Sequence, residues 1–99
     1  MIRFIVNTFF PSTHIFPDGS RLDYLIRDDC LRYATPVRKK DTVEIPLIYD
    51  ATLKRSRIDK DAVWQWKGDN AALSEEERAD AIAKIKEFIS KRPKEFEPL

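Results

Sequence analysis

Two glycines, Gly19 and Gly68, are all that this 99-residue chain contains. A phosphate-cradling loop needs closely spaced glycines so that backbone N–H groups can approach the anion, which excludes the dinucleotide and P-loop signatures. Cysteine is nearly absent too. The lone Cys30 cannot close an internal disulfide, so a reducing compartment, the cytoplasm, is the expected location. No apolar run nears the roughly 18 to 20 residues needed to span a bilayer, and no membrane partner is expected. The apolar start of the chain is broken by Arg3 and Asn7 and stopped by Pro11, before a signal-peptide core can form. An excess of one charge is also missing. Lys and Arg number 18 against 17 acids, and the net charge of +1 gives no whole-chain attraction to nucleic acid or anionic lipid.

What remains is a globular composition, 42% hydrophobic and 35% charged, in a length that suits one domain over residues 1–99. Ile2, Phe4 and Val6 alternate with Arg3, Ile5 and Asn7, the two-residue period of a strand. Pro17-Asp18-Gly19 predicts a tight turn, followed by a strand over residues 21–27 with Leu22, Tyr24 and Ile26 on one face. Asp28-Asp29 turns the chain back into residues 30–34. Residues 35–42, with Pro36 and the basic run Arg38-Lys39-Lys40, have no apolar period and read as a solvated loop. Val43, Ile45, Leu47 and Tyr49 then alternate with Glu44, Pro46, Ile48 and Asp50, and Pro46 favours an edge or a bulge in that strand. Residues 52–58 and 62–66 complete the strand signals.

The C-terminal region carries the firmest pattern. Ser74 followed by Glu77 forms a capping box, and Glu75, Glu76 and Glu77 suit the positive end of a helix dipole. Ala81, Ile82, Ile85, Phe88 and Ile89 make one apolar stripe over a helix of residues 73–92, which Pro93 ends. Phe96 and Leu99 in the tail retain the capacity to pack. The predicted fold is α+β: an antiparallel sheet of about five to six strands with one amphipathic helix on one face.

Chemistry is hard to find. His14, in a predicted loop, would need Ser12, Ser20, Cys30 or Asp23 to meet it in space, and packing or solvent exposure is the commoner role. Asp28 and Asp29 would raise the Cys30 thiol pKa rather than activate it. Those two acids, with Asp59 and Asp61, read as turn chemistry rather than metal ligands. No cofactor, no metal and no catalytic activity are expected. RNA-recognition, zinc-finger and helix-turn-helix signatures are missing as well. The informative residues are instead the basic run Arg38, Lys39 and Lys40, the basic strand with Lys54, Arg55 and Arg57, and the tryptophans Trp64 and Trp66. Core packing is the bland role for the indoles. Facing outward, they would join the basic strand as a platform for a protein or for single-stranded nucleic acid.

The order of features, a Pro17-Asp18-Gly19 hairpin, the strand from Ile45 to Tyr49, Val63-Trp-Gln-Trp66, and Leu73-Ser-Glu-Glu-Glu-Arg78 opening a final helix, resembles the small strand-then-helix immunity proteins of bacterial polymorphic-toxin systems. That resemblance implies a non-catalytic protein that binds and neutralises a cognate toxin. Arg38, Lys39, Lys40, Lys54, Arg55, Arg57 and Trp66 are the expected partner-binding residues, and an acidic patch is expected on the partner. The alternative reading is a small nucleic-acid-binding or regulatory protein using the same basic strand, although neutral charge weighs against nucleic acid. An open sheet edge also leaves room for a homodimer.

Overall fold

The computed structural model describes residues 12–38 and 40–99. The strand expected near the N-terminus, its closing Pro11, and Lys39 lie outside the described residues. Five antiparallel strands follow one another in chain order as a curled meander: β1 (Thr13–Ile15), β2 (Arg21–Leu25), β3 (Cys30–Ala34), β4 (Val43–Asp50) and β5 (Arg55–Ile58). One helix, α1 (Glu75–Ser90), comes last. The architecture is the α+β arrangement that the periodicities predict.

Local chemistry sets the turns. Gly19 sits at φ +90°, and a Cβ there would lie 2.8 Å from Pro36 Cγ, so both the turn and the neighbouring loop require glycine. Ser20 N–H donates to Asp18 Oδ1 at 2.8 Å, and Phe16 N–H reaches Ser20 O at 2.8 Å, which locks the hairpin between β1 and β2. β2 stops earlier than its alternation suggests, because Ile26–Asp28 winds into a single 3₁₀ turn that ends on left-handed Asp29. Ile26 is thereby thrown outward, 68% exposed, instead of continuing the inner face.

Pro46 occupies the point where β4 changes partner. Val43 to Pro46 pair with β3, whereas Leu47 to Asp50 pair with β5. A residue without an N–H does least harm where the ladder switches sides, and the Pro46 carbonyl still accepts from Asp59 N–H at 3.0 Å. The Trp64–Trp66 segment is not a sixth regular strand. It makes only the isolated bridges Val43 to Trp66 and Gln65 to Ala72. β1 is the converse case, a short strand where a loop around His14 was expected.

Leu22, Leu31, Tyr33, Val43, Ile45, Leu47 and Ile58 form the inner sheet face, and Ala81, Ile85, Phe88 and Ile89 cover it from α1. Trp64 and Trp66 are both buried in this core. Arg78 lies 4.0 Å over the Trp64 ring and Arg38 4.7 Å over the Trp66 ring, so each indole is sealed by a guanidinium plane. Phe96 closes the far end of the core, edge-on to Tyr24 at 4.9 Å. Its segment lies parallel against β5, with Ser56 N–H donating to Glu95 O and Glu97 N–H donating to Ser56 O.

The capping box is formed: Glu77 N–H donates to Ser74 Oγ at 3.1 Å, and Ser74 N–H donates to Glu77 Oε1 at 2.9 Å. Ser74→Ala should therefore cost about 1 kcal/mol. A thermal melt followed by circular dichroism should show the midpoint falling by roughly 4 to 8 °C, and an unchanged midpoint would show that the cap is dispensable.

Candidate functional site

The six candidate residues that are described, Arg38, Lys40, Lys54, Arg55, Arg57 and Trp66, do not form one surface. Arg38 and Lys40 precede β4, while Lys54, Arg55 and Arg57 follow it; Arg57 and Arg55 lie opposite Ile48 and Asp50, roughly 16 and 23 Å along the strand from Val43 at about 3.3 Å per residue. Arg38 is already engaged. Its guanidinium contacts Asp41 at 3.7 Å, Asp69 at 3.3 Å and Glu77 at 3.9 Å while stacking on Trp66. Trp66 itself is 1% exposed and presents no aromatic face to a partner. Of the two roles open to the tryptophans, core packing is the one realised: both indoles are buried, and the outward platform, with Trp66 as a partner-binding residue, is not formed. Lys40, with φ 62°, is exposed in the loop.

The second basic group is better placed. Asp50 Oδ1 accepts from Thr52 N–H at 2.9 Å and from Leu53 N–H at 3.1 Å, folding the link between β4 and β5 into a tight tip. Lys54, in the left-handed region at φ 56°, and Arg57 are exposed, and Arg55 reaches back to the Pro93 carbonyl at 3.4 Å. Among these cations stand exposed apolar side chains: Ile48, Tyr49 and Leu53. Tyr49 closes the alternation of Val43, Ile45 and Leu47, yet it is 57% exposed because β4 has run past the core at this point. A groove of about 430 Å³ opens beside the tip, lined by Tyr24, Ile26 and Tyr49, by Lys54 and Lys94, and by the acids Asp29 and Glu95. Sequence reasoning missed Ile26, Tyr49 and Lys94. Nothing in the alternation shows where a strand outruns its cover, although Asp28-Asp29 after Ile26 was a signal that β2 could end early.

The remaining candidates have structural surroundings. His14 lies opposite Leu22 in the ladder and meets Phe16 edge-on at 4.6 Å. Cys30 is buried, and that burial pushes its thiol up, with Glu44 and Asp28 adding to the rise. Among the described residues, no three or more His, Cys, Asp or Glu side chains group as a metal site.

A second polar cluster joins distant parts of the chain. Lys84 Nζ donates to Asp18, to Ser20 Oγ at 2.7 Å and to Asp80 at 2.7 Å, and Asp80 also accepts from the Tyr33 hydroxyl. Burial pushes the Asp18 carboxyl up, but Lys84 and the Ser20 donors outweigh it and hold it at about 2. The Lys84 ammonium is pulled down by burial and raised further by its two carboxylates, ending above its ordinary value. Burial, joined by Asp80, pushes the Tyr33 phenol up.

No helix among the described residues is long and apolar enough to cross a membrane. Comparison with known proteins adds no relative: no family model matches the chain, and neither a curated protein nor a solved structure matches it.

Proposed function

We propose that this chain is a non-catalytic protein-binding module that neutralises a cognate toxic partner by contact, in the manner of the immunity proteins it resembles. The reading rests on one observation: the exposed side chains of Ile26 and Tyr49 flank a groove whose rim carries Lys54, next to Arg57 on the projecting hairpin. Exposed apolar anchors beside charged groups, here Lys54 and Lys94 with Asp29 and Glu95, are what a protein interface uses, the anchors for affinity and the charges for steering and choice of partner. The partner surface would be acidic, with a pocket or cleft that takes an aromatic side chain.

A nucleic-acid reading has less to stand on. Both indoles are buried, so bases have no platform there, and Arg38 is held by three carboxylates.

The test is a binding titration against a toxic domain, should a neighbouring reading frame encode one. Lys54→Glu combined with Arg57→Glu should weaken binding about tenfold or more, which is about 1.4 kcal/mol, and should release cells from protection. Both residues are exposed, so the variant should keep its melting temperature. Equal affinity in the reversed variant would remove the hairpin from the interface.

A further inference from the structure

Where the end of α1 meets β5 and the C-terminal tail, a pocket of about 410 Å³ opens, a size usual for small-ligand sites. Ile89 and Phe96 are buried beneath it, and its accessible apolar walls are the exposed Pro93 and Pro98 and the half-buried Leu99. Its polar lining is Arg55, Lys86 and Ser90, with no carboxylate side chain, whereas the groove beside the hairpin carries Asp29 and Glu95. Glu87, Glu95 and Glu97 occupy neighbouring positions in the chain but do not line it.

Both cations lack a compensating charge. Arg55 is half-buried, and its one hydrogen bond runs from Nη1 to the Pro93 carbonyl at 3.4 Å, which leaves Nε and Nη2 as donors on the guanidinium plane. Lys86 is exposed on α1. Among the described residues no carboxylate, side-chain or terminal, pairs with either of them. A guanidinium drawn partly out of water with no acid beside it has lost hydration, and an incoming anion makes good that loss. The negative end of the helix dipole is already damped at this point, since the Glu87 carbonyl accepts from Ser90 Oγ at 2.8 Å and the Ile89 carbonyl from Arg92 N–H at 2.9 Å.

These features restrict the occupant. A wholly polar anion gains nothing from the proline and leucine walls, and an uncharged apolar molecule leaves both cations as they are. A phosphate group brings more oxygens than the site can satisfy, because the Ser90 hydroxyl already donates to Glu87 and one corner of Arg55 is taken. A carboxylate has two oxygens, which suit the remaining edge of the guanidinium and the Lys86 ammonium.

We propose that this pocket binds a small aliphatic monocarboxylate, its head group between Arg55 and Lys86 and its apolar chain along Pro93, Pro98 and Leu99. The site does not depend on the hairpin's role, since Lys54 and Arg57 take no part in it.

Sodium octanoate titrated into the ¹⁵N-labelled protein tests this by nuclear magnetic resonance. The amide signals of Ser90, Phe96 and Leu99 should move and saturate in the low millimolar range, while those of Thr52, Leu53 and Lys54 at the hairpin tip stay in place. Hexanoate should bind about fourfold more weakly, as each of the two missing methylenes is about half buried in so open a pocket. Octanamide, which keeps the chain and loses the charge, should bind about fivefold more weakly, and acetate at the same concentrations should leave the signals unshifted. Lys86→Glu, at an exposed position with no hydrogen bond to lose, should keep the melting temperature and weaken octanoate about fivefold. An absence of shifts, shifts centred on the hairpin, octanamide binding as well as octanoate, equal affinity for hexanoate, or undiminished binding by Lys86→Glu would each overturn the proposal.

Discussion

Replacing Trp64 with alanine should remove about 3 to 5 kcal/mol of stability, a large share of the roughly 5 to 15 kcal/mol that a domain of this size possesses. Burial and three interactions converge on that residue. It is fully buried in the core, Arg78 stacks on it at 4.0 Å, its N–H donates to the Asp59 carbonyl, and its own carbonyl accepts from Leu73 N–H at 3.0 Å. The last of these ties the tryptophan segment to the residue preceding the cap of α1. Truncation leaves a cavity and strips the guanidinium of its aromatic partner while the backbone bond persists. Urea unfolding followed by helix circular dichroism should show the midpoint falling by about 2 M, taking a slope of about 2 kcal/mol per molar. A shift below about 0.5 M would mean that the surrounding side chains collapse into the space.

Lys84→Met should cost about 2 kcal/mol at neutral pH, roughly 8 to 16 °C in melting temperature. The lysine side chain is largely buried, but Asp18 and Asp80 are each about half exposed, so the loss should fall short of the 3 to 5 kcal/mol typical of a fully buried pair. Its pH dependence is the sharper signature. Asp18 is held at about 2, below its ordinary 3.8, so its contribution is complete above 3.8 and is lost as pH falls towards 2. Lys84 is shifted upward from 10.5, so its contribution is complete below 10.5 and is lost as pH rises through the higher folded value. Given the exposure of Asp18, the acid arm should amount to about 1 kcal/mol after solvent screening. Melts from pH 2 to 7 should show the wild type losing this increment, and Lys84→Met should retain only the part that the Ser20 donors supply. A variant with the full acid slope would place the origin of that slope elsewhere.

Much of the fold was written in short-range periodicity. Leu22 with Tyr24, and Val43 with Ile45 and Leu47, alternate strictly because one sheet face is covered, and Ser74 with Glu77 marks a helix start through bonds that span only three residues. Tyr49 shows where such reasoning stops, since its position in the alternation is inward but the core ends before it. Thr13–Ile15 is too short to announce a period, and its pairing with β2 depends on the glycine turn. The site was less legible than the fold. Basic residues close in type looked like one surface, yet Arg38 and Arg57 lie on opposite sides of β4, and the carboxylates that occupy Arg38 come from three separate segments. The Lys84 cluster was invisible for the same reason: Asp18 and Lys84 are 66 positions apart, and only the completed meander brings them together.

The Phe96 segment along β5 limits how anything can be recognised there. Both main-chain groups of Ser56 are already committed to Glu95 and Glu97, so a visiting chain finds no vacant rung on which to extend the sheet at that position. On the proposed function, association through the hairpin would instead be read from the identities of its protruding groups. Such a mode discriminates between closely similar partners residue by residue, where main-chain zippering would accept almost any extended sequence.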